Sequence, residues 1–177
     1  PSRVRRAKEY VGDSLKICTV IGFPNGYATT ETKLFEAGDA IANGADEIDY
    51  VVNLTRLKEK DYTFIEKEME GIVETCRARG AISKVIFENC YLTQEEKIAL
   101  CDIARSIRPD FVKTSTGFGT GGATREDVAL LRENLPKQVK HKASGGIRTL
   151  ADGEAYLALG ADRLGASALV GEARKQG

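Results

Sequence analysis

The chain holds one histidine, one methionine, four prolines and no tryptophan in 177 residues. A single histidine, His141, leaves out most histidine-built metal sites. The four cysteines, Cys18, Cys76, Cys90 and Cys101, show no CxxC pair and no zinc-type spacing. They read as reduced thiols of a cytoplasmic protein rather than as ligands or disulfides. Excess charge is missing as well: 26 Lys and Arg balance 26 Asp and Glu. No field therefore draws the chain to nucleic acid or to an anionic membrane, and an anionic ligand has to be held by local groups. No apolar run is long enough for a bilayer, and no secretory leader is recognisable at the start. What remains is ordinary, 42% hydrophobic and 29% charged, over a length that suits a single domain, residues 1–177, with one core.

Hydrophobic patterning alternates strand with helix. A helix over residues 1–11 precedes the run Leu15–Phe23, whose continuous apolar and β-branched residues predict a strand buried on both faces. Thr29 or Thr30 caps a helix to Asn43, and Glu47–Leu54 is the second strand. A helix over Lys60–Arg79 carries Phe64, Ile65, Met69, Ile72, Val73 and Cys76 on its apolar stripe. Ala81–Glu88 is the third strand, and Thr93 with Glu96 forms a capping box for the next helix. Asp110–Thr114, Val139–Ser144 and Asp162–Ala166 supply the fourth to sixth strands. Helices follow them at Arg125–Asn134, after Thr149, and briefly at the end. Such alternation requires a parallel sheet with helices outside it. The glycine-rich turns follow late strands rather than the first, which favours a (β/α)₈ TIM barrel over an open nucleotide-binding sheet.

In either closure, functional residues gather at the carboxyl ends of the strands. Asp49, Lys84, Lys113 and Lys142 fall there or one layer below. Lys113 ends a strand just before the loop Thr114-Ser115-Thr116-Gly117-Phe118-Gly119. Two lysines converging in an apolar interior repel, and burial adds to that, so one of them is poised as a free amine for Schiff-base chemistry. Asp49 offers a compensating charge and a proton relay. The competing reading is structural: a Lys–Asp pair filling the interior, and a lysine stem packed under a loop with its head in water. Ser144-Gly145-Gly146-Ile147-Arg148 and Gly165-Ala166-Ser167 each join a strand to a helix and present backbone N–H groups to an anion.

Thr19-Val20-Ile21-Gly22-Phe23-Pro24, Ala45-Asp46-Glu47-Ile48-Asp49, Phe111-Val112-Lys113-Thr114-Ser115-Thr116-Gly117 and Lys142-Ala143-Ser144-Gly145-Gly146-Ile147-Arg148 together resemble the deoxyribose-phosphate aldolase family. The resemblance runs from residue 1 to about residue 170. It implies a class I aldolase of deoxyribonucleotide catabolism, without metal or other cofactor, cleaving 2-deoxy-D-ribose 5-phosphate to glyceraldehyde 3-phosphate and acetaldehyde. By the same resemblance Lys113 is the Schiff-base lysine, Lys142 the neighbour that favours its free amine, and Asp49 the acid/base partner. Gly117, Gly145, Gly146 and Ser167 line the phosphate site, His141 is structural, and Lys84 supports the charge network. A homo-oligomer, dimer or tetramer, is implied as the working state, with a phosphorylated sugar as the small-molecule partner.

Phe118 stands where some members carry a phosphate-binding lysine, and Ala168 where a second hydroxyl is common, and either departure weakens a phosphate site. The family also has two strands before the segment that matches Pro1. The expectation is thus a barrel lacking its first two strands, with six β/α units, and low solubility and activity for these residues alone. Two other functions fit part of the pattern: an isomerase-like phosphate-binding barrel, and an inactive barrel fragment.

Overall fold

The computed structural model describes residues 1–171, which fall into two compact units. The first comprises Pro1–Ile86 with Ile107–Asp110, the second Phe87–Ser106 with the chain from Phe111 onward. Each carries three parallel strands.

In the first unit, α1 (Val4–Val11) leads to β1 (Cys18–Ile21), α2 (Thr30–Ala42), β2 (Glu47–Val51), α3 (Leu54–Lys58), α4 (Tyr62–Ala78) and β3 (Ile82–Ile86). Helical crossovers return the chain to the same edge, so β1, β2 and β3 pair in parallel. All five residues of β2 are buried. β1 departs from expectation: it is four residues long and alternates in burial, with Cys18 exposed. Strand side chains point alternately to opposite faces: Thr19 and Ile21 are buried on one, and Cys18 is on the other.

The helix expected over Lys60–Arg79 is preceded by a separate short one. Asn53 accepts the Arg56 N–H at 3.2 Å and starts α3, while Asp61 accepts the Phe64 N–H at 3.1 Å and starts α4. Lys60, at φ +59°, makes the break between them. Ile65, Met69, Ile72, Val73 and Cys76 of α4 are buried as patterned, the aliphatic ones stabilising by about 1.5–3 kcal/mol each, while Phe64, expected on the same stripe, is only half-buried. The same stripe carries Glu68, whose carboxylate meets the Lys33 ammonium of α2 at 2.8 Å with both side chains fully buried.

The second unit holds a 3₁₀ turn (Asn89–Tyr91), α5 (Gln94–Ile107, in this unit to Ser106), β4 (Phe111–Lys113), α6 (Arg125–Asn134), β5 (Lys140–Ser144), α7 (Leu150–Ala158) and β6 (Arg163–Gly165). β4, β5 and β6 pair in parallel. The capping box before α5 forms, with Thr93 N–H on Glu96 at 2.8 Å and Glu96 N–H on Thr93 at 3.2 Å. Thr149 and Asp152 make a second box at α7. Val128, Ala143, Ile147 and Ala161 form the core, with Tyr156 and Leu164 packed against it. The end of the short final helix lies outside the described residues. All four cysteines are free thiols. Burial pushes the thiols of Cys76 and Cys101 up to about 12, which leaves them unreactive. No helix among the described residues is long and apolar enough to cross a membrane.

Candidate active site

β4 and β5 end side by side, and their register sets Lys113 directly opposite Lys142. Adjacent strands lie about 4.8 Å apart, so the two stems leave the sheet as neighbours on one face. The register is locked just beyond them. Thr114 N–H donates to the Lys142 carbonyl at 3.1 Å, Ser144 N–H donates to the Thr114 hydroxyl at 3.1 Å, and the Ser144 hydroxyl donates to the Ser115 carbonyl at 2.7 Å. Lys113 is buried, at 8% exposure, and reaches a cavity of about 380 Å³. Lys142, Gly117, Gly145, Gly146 and Ser167 line the same cavity. Six of the seven residues singled out from the sequence thus share one wall system.

Missing side chains make the room. A Cβ at Gly165 would fall 3.1 Å from Cε of Lys142 and 2.8 Å from Cβ of Ser144, closing the channel that the lysine stem occupies. Gly145, at φ +82°, turns the chain where a side chain would be strained, and a Cβ at Gly122 would lie 2.3 Å from its carbonyl oxygen. Part of the expected N–H cradle is already engaged. The Asp152 carboxylate accepts from the N–H groups of Arg148 at 3.4 Å and Thr149 at 3.1 Å, and the Thr149 hydroxyl, then these two bonds, hold it below the usual carboxylate range. An anion in the cavity therefore meets the Gly145–Gly146 segment rather than the first turn of α7.

Asp49 belongs to the first unit. The β2–β3 register sets it opposite Lys84, and their side chains meet at 2.6 Å. Glu47 binds the same ammonium at 2.6 Å, and the Cys18 thiol donates to Asp49 at 3.1 Å. Burial alone would lower the Lys84 ammonium, but Asp49, Cys18 and the hydrogen bonds it donates to Asp49 and Glu47 raise it above its ordinary value. Asp49 and Lys84 thus form a buried lysine–aspartate pair within the first unit.

His141 lies on β5 beside Lys142, so its ring points to the opposite face from the cavity lysine. It is fully buried, neither ring nitrogen has a hydrogen-bond partner, and Asp162 stands 3.6 Å from Nδ1. Two polar pairs escaped sequence reasoning. One is Lys33–Glu68. The other is Glu88, which closes the third strand run and bonds Thr116 beside the cavity. Charged residues inside apolar spacing, Glu68 between Ile65 and Ile72, were the available signal for the first. A larger hollow of about 480 Å³ in the first unit, bordered by Tyr27, Glu31, Arg56 and Phe64, has no lysine, cysteine or histidine in its lining.

Parallel strands alternating with helices, and a polar cavity at strand carboxyl ends with two lysines in it, mark an α/β enzyme of the barrel class. No protein-family model matches the chain. The chain is 53% identical over 169 residues to the deoxyribose-phosphate aldolase of Clostridioides difficile, covering 96% of this chain and 76% of that one. A solved aldolase, QR15, superposes with a TM-score of 0.92 at 38% identity over 99% of this chain and 80% of its own. The tetrameric deoxyribose phosphate aldolase of Aeropyrum pernix gives 0.84 at 36% identity, over 95% and 70%. The chain belongs to the deoxyribose-phosphate aldolase family.

Proposed function

We propose that the chain catalyses the reversible aldol cleavage of 2-deoxy-D-ribose 5-phosphate to D-glyceraldehyde 3-phosphate and acetaldehyde, through a Schiff base on Lys113. The observation that carries this reading is the register pair Lys113–Lys142 over a glycine-lined cavity. An amine adds to a carbonyl only when unprotonated, and the family resemblance gives Lys142 the role of favouring that form at Lys113. Lys113 adds to the aldehyde carbon of the open-chain sugar, and loss of water leaves an iminium. Removal of the C3 hydroxyl proton then breaks the C2–C3 bond: glyceraldehyde 3-phosphate departs and the electron pair rests in an enamine. Protonation at C2 and hydrolysis release acetaldehyde and restore the amine. Asp49 takes the proton-relay role that the family resemblance gives it. Gly117, Gly145, Gly146 and Ser167 hold the phosphate, largely through backbone N–H groups.

Four free thiols fit a reducing compartment, and we place the enzyme in the cytoplasm. It works there as a homo-oligomer, a state that light scattering reads directly. The decisive test of the chemistry is borohydride reduction in the presence of acetaldehyde. An ethyl group fixed on Lys113, and absent from Lys113→Leu, is the expected result. Trapping that survives in Lys113→Leu removes that lysine from the role. Phosphate binding without any trapping points instead to an isomerase-like barrel enzyme.

A further inference from the structure

Glu88 sits where a side chain is costly. Its backbone is left-handed, at φ +57°, a conformation that side chains rarely adopt, and the residue is buried, at 2% exposure. The neighbours on either side pin it. Phe87 N–H donates to the Lys113 carbonyl at 3.0 Å, and Asn89 N–H donates to the Thr114 carbonyl at 2.9 Å. Between these bonds the kinked residue directs its carboxylate at the loop that follows β4. One oxygen accepts the Thr116 N–H at 3.1 Å, and the other accepts the Thr116 hydroxyl in a short hydrogen bond. That hydroxyl in turn accepts the Phe118 N–H at 3.0 Å. A single carboxylate thereby holds Thr116, Gly117 and Phe118 in one turn. Gly117 lies at φ +91°, and it and Thr116 are in the cavity wall. Gly119 packs so closely on this carboxylate that a Cβ there would lie 3.2 Å from Cδ of Glu88.

We propose that Glu88 is a positioning residue: acting through the Thr116 hydroxyl, it fixes the Thr116–Phe118 turn so that the backbone at Gly117 faces the phosphate of the substrate. This rests on the reading of the cavity as a phosphorylated-sugar site. A buried, strained carboxylate is a poor device for stability alone, since an apolar side chain fills such a place at less cost. Its two acceptor oxygens match the two Thr116 donors, and glutamine has only one acceptor oxygen to offer.

The test measures two quantities on Glu88→Gln, Thr116→Val, Thr116→Ser and the double variant Glu88→Gln/Thr116→Val. These are the dissociation constant for inorganic phosphate and borohydride trapping of acetaldehyde, which carries no phosphate. Circular dichroism checks the fold. Phosphate binding is expected to weaken roughly tenfold in Glu88→Gln and in Thr116→Val, the scale of a hydrogen bond to a charged group. Thr116→Ser should stay within about twofold of the parent, trapping should fall far less than phosphate affinity, and the double variant should be no weaker than the worse single one. Parent-like phosphate binding in a folded Glu88→Gln and Thr116→Val overturns the proposal. So do an equal loss of trapping and phosphate affinity, an additive double variant, and a parent that binds no phosphate. If Glu88→Gln does not fold, the two Thr116 variants decide by themselves. A parent that binds phosphate but traps no acetaldehyde overturns the aldolase chemistry while the phosphate arm still reports on Glu88.

Discussion

We propose that Lys142, which the register of β4 and β5 sets opposite Lys113, assists imine formation there. Lys142→Leu should therefore still form an imine on Lys113, but more slowly, read from the rate of borohydride trapping. An unchanged rate would deny Lys142 its role. Asp49→Asn should slow turnover by about two orders of magnitude or more, the usual scale for losing a general acid–base group. Asp49 also has a structural duty, because it shares Lys84 with Glu47 in a buried cluster. Lys84→Met would remove the ammonium that two buried carboxylates share and should cost about 3–5 kcal/mol in urea unfolding. That Asp49 is a candidate was legible from an acid set among apolar strand residues. Its partner was not, since four polar strand positions allow several pairings and only the register selects one.

Helices α2 and α4 carry the buried Lys33–Glu68 pair within otherwise apolar stripes. Burial lowers the Lys33 ammonium and raises the Glu68 carboxylate despite their mutual attraction, so desolvation outweighs the Coulomb gain for each. Glu68 also accepts the Asn53 N–H at 3.1 Å, and Lys33 donates to the Val51 carbonyl at 2.8 Å, which ties both helices to the end of β2. Lys33→Met alone should destabilise by about 3–5 kcal/mol, and adding Glu68→Gln should restore more than half of that, because a neutral amide replaces the buried carboxylate that had lost its counter-charge. Denaturant melts of the three proteins check it, and a double variant no more stable than the single one would refute the account. Helix starts were readable at Thr29, at Thr93 with Glu96, and at Thr149, because a cap is a matter of a few adjacent residues. The division of α3 from α4 was missed, since Lys60 in a left-handed conformation has no compositional mark.

With positive and negative side chains in balance, no global field makes the stability of the whole molecule depend on pH, and particular buried groups set that dependence instead. His141 is the clearest. Burial, with help from the Arg132 charge, lowers its ring below the ordinary 6.5, against the opposing pull of Asp162. A base whose folded value is depressed is neutral when folded, so its contribution is complete above 6.5 and is lost as pH falls below that toward the folded value. Urea midpoints should drop as pH falls below 6.5, and His141→Phe should flatten that part of the curve. Equal slopes in both proteins would exclude the histidine. We further propose that residues 1–177 unfold as a single domain, which coincident fluorescence and circular-dichroism transitions would verify. The sequence by itself determined the alternation of strand and helix, the parallel pairing that helical crossovers require, the caps, and the arrival of lysines at strand ends before glycine loops. These follow from periods of two and 3.6 and from contacts a few residues long. Only the tertiary structure decided that Lys113 faces Lys142, that Asp49 is held by Lys84, and that Glu88 reaches Thr116. Each of those pairings joins residues about thirty positions apart, and a shift of one residue in register turns every side chain of a strand to the other face.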